Sequence, residues 1–113
     1  EGLAALQQVA QVLATIPGRD FQVACHTDDR PIRTRDYPSN WQLSTARALN
    51  VVEILQKNRV PSRHVSAAGF AEFSPVAAND SDQGRAQNRR IEIVLMPNLE
   101  ELPDLSRLEQ EAQ

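Results

Sequence analysis

The stretch Ser39-Asn40-Trp41-Gln42-Leu43-Ser44-Thr45-Ala46-Arg47-Ala48 decides how this 113-residue chain is read. Ser39 followed three residues later by Gln42 has the form of a capping box, so a helix opens there. Ala48, Val51, Val52 and Leu55 give it a buried stripe at helical spacing, and Pro61 bounds it, so the helix ends near Asn58. Arg47 stands four residues from both Leu43 and Val51, at the edge of that stripe. Its stem can be buried while its head reaches toward the helix's N-terminal side. A helix start supplies free backbone N–H groups, and an arginine supplies a planar fork for carboxylates. An acidic residue on a nearby loop would complete a site for a ligand carrying both a carboxylate and an amine.

Upstream, Phe21, Val23 and Cys25 alternate with Gln22 and Ala24, which predicts a half-buried strand. The polar run from His26 to Pro38, with Asp28, Asp29, Arg30, Arg33 and Arg35, is a loop long enough to carry function. Further upstream, Leu3, Leu6, Val9, Ala10, Leu13 and Ile16 predict a helix over 3–15, stopped by Pro17-Gly18. Downstream, Val65, Ala67 and Gly69 mark a second strand. A Pro/Asn/Asp-rich connection follows, then a helical turn over 84–88, and Ile91, Ile93 and Leu95 form a third strand ended by Pro97. The order helix, strand, helix, strand, strand predicts an α+β fold: a two-layer sandwich with helices packed on one face of a mixed β-sheet. A strand ahead of the first helix would complete that sheet. Residues 1–96 form the domain. Residues 97–113 are an acidic C-terminal tail in which Leu99, Leu102, Leu105 and Leu108 recur every third residue, compatible with an amphipathic helix.

Net charge is −3 and unevenly spread: the tail carries −4 and the body +1. A near-neutral body argues against nucleic acid as a partner. No apolar run reaches the eighteen residues of a membrane span, and no signal-peptide pattern is present, so any membrane attachment is expected through a segment upstream of Glu1. The lone cysteine, Cys25, excludes an internal disulfide and a multi-cysteine zinc site. His26 and His64 have no ligand-spaced partner, so no metal, no cofactor and no catalytic residue is expected.

Four motifs recur in order. They are His26-Thr27-Asp28; Asn40-x-x-Leu43-Ser44-x-x-Arg47-Ala48-x-x-Val51; Gly69-Phe70-Ala71-Glu72-x-x-Pro75-Val76-Ala77-x-Asn79; and Gly84-Arg85-Ala86-x-Asn88-Arg89-Arg90-Ile91-Glu92-Ile93. Together they resemble the OmpA-like peptidoglycan-binding domain. Asp28-Asp29-x-Pro31-Ile32 with the long loop to Pro38-Ser39-Asn40-Trp41 is similar to the MotB branch, the stator subunits that anchor the flagellar motor to the wall. The resemblance implies noncovalent binding of peptidoglycan at the diaminopimelate of its stem peptide. It also implies a periplasmic setting in a Gram-negative cell, a membrane tether and a homodimer. It assigns roles by position: Asp28 faces the ligand's ammonium and Arg47 takes a carboxylate. Asn40 and Arg89 match further pocket positions, and Thr27, Leu43 and Asn79 match positions near the pocket. One departure is Cys25, which stands where the family usually has glycine.

Each residue also has a plainer reading. Asp28 and Asp29 suit a turn, Asn40 could only cap the helix, and Asp28 with Arg47 could be a structural salt bridge. Arg89 and Arg90 straddle a strand start, so one faces inward and the other outward; Arg89 is the functional candidate. His26 reads as a satisfied structural histidine and Ser44 as a backbone-bonding hydroxyl, while Trp41 either packs over the core or flanks the pocket, the core being the plainer reading. The alternative function is a periplasmic dimerisation or assembly domain in which wall binding is weak or lost.

Overall fold

The computed structural model describes residues 2–16 and 18–96. Its elements are α1 (Gly2–Leu13), β1 (Phe21–Cys25), α2 (Asn40–Lys57), a 3-10 turn over Ser62–His64, β2 (Val65–Gly69), α3 (Asp82–Asn88) and β3 (Ile91–Leu95). The acidic tail expected over 97–113 lies outside the described residues. The three strands form one mixed sheet in the order β2-β1-β3. β1 runs parallel to β2, with Phe21 opposite Val65 and Cys25 opposite Gly69. It runs antiparallel to β3, with Phe21 opposite Leu95 and Cys25 opposite Ile91. A parallel pair needs a long crossover, and α2 supplies it between β1 and β2.

Strand alternation sorts the two faces of the sheet. Phe21, Val23 and Cys25 turn toward the helices and join Ala10 and Leu13 of α1 and Ala48, Val51, Val52 and Leu55 of α2 in one buried core. The α2 stripe read from the sequence is therefore the stripe that packs. α1 and α2 pack on this one face, as the element order predicts.

Local chemistry sets the ends of α2. Ser39 is its N-cap, with extended backbone, and its Oγ accepts from the Trp41 N–H at 3.2 Å. Gln42 reaches back to the cap, its Oε1 accepting from the Ser39 hydroxyl rather than from the Ser39 backbone N–H of a full capping box. At the far end Asn58 is the C-cap and donates its side-chain amide to the Ile54 carbonyl at 2.7 Å. Arg59 follows with φ of +74°. At the end of β2, a Cβ on Gly69 would collide with Thr45 and with the Ser44 hydroxyl. Only glycine lets the strand end approach the first turns of α2, and this contact brings the loop after β2 over the helix start.

Candidate functional site

β1 ends at Cys25, and His26, Thr27 and Asp28 carry the chain over the top of the sheet while remaining buried. The backbone of this run is tied at successive points. The His26 N–H donates to the Arg90 carbonyl at 3.0 Å, and the Thr27 N–H donates to the Ala71 carbonyl at 2.9 Å. The Thr27 hydroxyl donates to the Asp28 carbonyl at 2.8 Å. Ala71 is itself held by Ser44, whose Oγ accepts from the Ala71 N–H at 3.1 Å. Ser44 also donates to the Trp41 carbonyl, so its hydroxyl serves backbone groups.

Asp28 is only 7% exposed, and both of its carboxylate oxygens are engaged. Oδ1 accepts from the Arg30 N–H at 3.0 Å, and Oδ2 takes the Arg89 guanidinium at 2.6 Å. The acid therefore pairs with Arg89 and not with Arg47. Arg90, one residue on, turns to Glu92 at 2.5 Å and to the Ser74 carbonyl at 2.8 Å. The two arginines at the strand start thus take separate acidic partners.

Asn40 does more than open the helix. Its amide nitrogen reaches the Arg30 carbonyl and the Glu72 carboxylate at 3.1 Å each, and the Asp28 carbonyl at 3.4 Å. It pins the long loop, the helix start and the segment after β2 together. Asn79 lies in the lead-in to α3. Its Oδ1 accepts from Asn88 at 2.8 Å, and its carbonyl accepts from Arg85 at 2.9 Å. Leu43 is half-buried on the flank of α2.

Between α2 and β3 a cavity of about 330 Å3 opens, lined by Arg47, Asn50 and Val51 from the helix, Cys25 and His26 from the end of β1, and Arg89, Arg90 and Ile91 from the strand start. Arg47 is exposed and makes no ion pair among the described residues. Arg47 and Arg89 are thus brought to one cavity, and Asp28 is joined to it through Arg89. Thr27, Leu43, Asn40 and Asn79 are not among its lining residues. Asn50 was not anticipated there from sequence, whereas Cys25, the departure at the end of β1, forms part of the cavity wall. Asn50 is three residues from Arg47, so helical spacing alone could have placed it on the same flank. The Cys25 backbone needs no positive φ, which among the described non-glycine residues occurs only at Arg59 and Ala71. Burial pushes the Cys25 thiol up from its ordinary value, with the nearby Arg47 charge pulling the other way, so the thiol stays protonated and inert.

Two expectations need correction. Trp41 is 49% exposed and takes no part in the core; it stacks instead on Phe73. It stands seven residues before Ala48, on the line of the buried stripe but in the first turn of α2, ahead of the first α2 residue of the core cluster. His26 is buried against Phe70, with ring centroids 5.0 Å apart, yet neither ring nitrogen has a hydrogen-bond partner among the described residues. Its Nε2 stands 3.6 Å from the Glu92 carboxylate. Burial, and then the Arg90 charge, hold its pKa below the usual histidine value, while Glu92 pulls it up. Among the described residues no group of three or more His, Cys, Asp or Glu side chains is placed to hold a metal ion. No described helix is long and apolar enough to cross a membrane.

The chain resembles known proteins in sequence and in fold. The chain is 46% identical over 91 residues to the uncharacterized protein YtxE of Bacillus subtilis, covering 80% of this chain and 37% of that protein. It is 36% identical over 92 residues to Motility protein B of the same organism, covering 80% of this chain and 35% of that protein. The chain thus spans about a third of these relatives' length. Among solved structures, the C-terminal domain of Helicobacter pylori MotB superposes with a TM-score of 0.81 at 26% identity, over 96% of this chain and 80% of that one. The cell wall anchor of the Pseudomonas aeruginosa T6SS superposes with a TM-score of 0.76 at 39% identity, over 84% and 66% respectively. The OmpA family profile matches residues 1–89, and with these relatives the chain belongs to the OmpA family, on its MotB-like side.

Proposed function

We propose that this domain binds peptidoglycan noncovalently at the diaminopimelate of the stem peptide and so anchors a membrane-tethered, MotB-like protein to the cell wall. The observation that carries the reading is the cavity between α2 and β3, where Arg47 has no ionic partner among the described residues and Arg89 is held by Asp28. A free amino-acid end brings a carboxylate and an ammonium. The carboxylate suits the two guanidinium forks, and the ammonium suits Asp28 once Arg89 turns to the carboxylate. Arg89 has the freedom to turn, because its side chain is 45% exposed while that of Asp28 is 10% exposed. Charge-assisted hydrogen bonds of this kind contribute about 1.5–3 kcal/mol each. After ordering costs, two or three of them give roughly micromolar or weaker affinity. A wall anchor tolerates that, since the polymer repeats its ligand and paired domains add avidity. The setting proposed for the domain is the periplasm, with its tether outside this sequence.

The test is co-sedimentation of the purified chain with isolated sacculi, with free diaminopimelate as competitor. Asp28→Ala and Arg47→Ala are each expected to reduce the pelleted fraction at least tenfold while circular dichroism stays unchanged. Undiminished pelleting of both variants would overturn the site.

A second reading, association of two copies, is favoured by β3. Its outer edge has no paired strand among the described residues, and Ile91, Val94 and Leu95 are 48%, 38% and 46% exposed. An unpaired apolar edge is a template for pairing with another chain. Sedimentation velocity on the wild-type chain and on Ile91→Lys measures it directly.

A further inference from the structure

Trp41 and Phe73 form a second surface that the peptide site does not use. Their ring centroids are 5.3 Å apart with planes inclined by 29°. Trp41 is 49% exposed, Phe73 66% and Leu49, two turns along α2, 50%. Trp41 and Leu49, with Gln42 and Thr45 beside them, line a shallow depression of about 320 Å3. The indole lies outside the core cluster, so packing does not account for a large apolar side chain here. Exposed apolar groups rimmed by polar ones mark binding surfaces.

The surface adjoins the peptide site. Trp41 follows Asn40 in the chain, and Phe73 follows Glu72. The Asn40 amide and the Glu72 carboxylate are hydrogen-bonded at 3.1 Å, and the same amide meets the Asp28 carbonyl. On an ideal helix Trp41 is about 120° around from Arg47 and roughly 9 Å along the axis. A few residues of extended peptide, at about 3.3–3.6 Å each, span that separation.

The patch is too small for a protein partner. Its three apolar side chains expose roughly 300 Å2, taking typical areas of 150–250 Å2 each. A stable protein interface needs about 800 Å2 from each side. A flat aromatic surface with hydroxyl and amide groups at its rim instead matches a pyranose ring, which offers a face of C–H bonds and an equator of hydroxyls.

We propose that Trp41 and Phe73 are a saccharide platform that takes the amino-sugar backbone of the polymer whose stem peptide the Arg47 cavity reads. The inference rests on the peptidoglycan reading above. Two contacts on one polymer, one to sugar and one to peptide, act as linked sites and raise the apparent affinity of each.

Trp41 is the only tryptophan, so its fluorescence reports on this surface alone. Chitotetraose, which carries no peptide, is expected to shift or quench the emission of the wild-type chain with millimolar affinity. Phe73→Ala is expected to remove that response, and Arg47→Ala to leave it intact. A muropeptide carrying both sugar and stem is expected to bind about tenfold more tightly than the stem peptide alone, and Phe73→Ala to erase the difference. An emission unmoved by chitotetraose, together with equal affinities for muropeptide and stem peptide, overturns the platform while leaving the peptide site standing. A response to chitotetraose with no binding of the stem peptide keeps the platform and fails the peptide reading. A concentration-dependent dimer that Phe73→Ala dissociates in the absence of sugar assigns the face to a second copy and overturns the proposal.

Discussion

Asn40 shows what a single amide can hold. It sits at the first helical position of α2, yet its side chain serves two loop carbonyls and the Glu72 carboxylate. At 5% exposure those partners have little water to turn to once the amide is gone. Asn40→Ala is therefore expected to cost about 1–3 kcal/mol, read as a fall in the urea midpoint at unchanged slope. It is also expected to weaken sacculus binding by loosening Asp28. Ser39→Ala, which removes only the cap, is expected to cost about 1 kcal/mol and to leave binding alone. An Asn40 variant with wild-type stability would show that the three bonds are dispensable. The sequence placed Asn40 at the site or at the cap, and both readings followed from its type and position. Its bonds to three separate segments were not legible, because they depend on how the 26–38 loop and the run after Gly69 fold back over the helix start. The same holds for Asp28. An acid near two arginines was readable, but its choice of Arg89 over Arg47 is set by where β3 enters the sheet.

Elements were more legible than contacts, because periodicity and end signals are local. The stripe Ala48, Val51, Val52, Leu55 and the cap at Ser39 gave α2 nearly to the residue. The Phe21, Val23, Cys25 alternation gave β1. The helix over 82–88 begins earlier than the 84–88 expected, because Ser81 caps it, its Oγ accepting from the Gly84 N–H at 3.0 Å. Trp41 continues the stripe by spacing, seven residues before Ala48, but how far toward the start of α2 the core extends is not a local signal, and the first turn lies beyond it. One end signal carries a measurable cost. Arg59, just past the C-cap of α2, has φ of +74°, in the left-handed region that a Cβ disfavours. Its backbone N–H still donates to the Gln56 carbonyl at 3.2 Å, and Val60 closes on Leu55 at 3.0 Å. The side chain is exposed and makes no ion pair among the described residues. Arg59→Gly is expected to stabilise the domain by about 0.5–1 kcal/mol, seen as a rise in the urea midpoint. A lower midpoint would mean that the arginine contributes through its side chain, or that the loop gains more freedom when unfolded than it loses in strain.

At the scale of the molecule, the two faces of the sheet behave differently, and the second face sets how stability responds to pH. The helix-facing side is apolar, as the alternation of β1 required. The other side carries Glu92, and at its upper end the His26 ring lies between Phe70 and the Arg90–Glu92 pair. Burial favours the neutral imidazole, Arg90 favours it further, and Glu92 opposes, so the folded-state pKa lies below the ordinary 6.5. The unfolded chain protonates His26 near pH 6.5, while the folded chain resists until lower pH. Between the two values the unfolded state holds more protons, so stability rises with pH there. The histidine's contribution is therefore full above about pH 6.5 and is lost as the pH falls from that value through the folded pKa. Glu92 acts in a separate window. Arg90 holds its carboxyl below the ordinary 4.5, so its contribution is present above that value and disappears only as the pH falls further. His26→Phe preserves the stack on Phe70 and removes the titration. Between about pH 7.5 and about pH 5 the urea midpoint of the wild type is expected to fall relative to that of the variant, whichever is the more stable at the upper end. Parallel curves would mean that a proton enters the folded ring as readily as the unfolded one, with Glu92 closing its 3.6 Å gap to receive it.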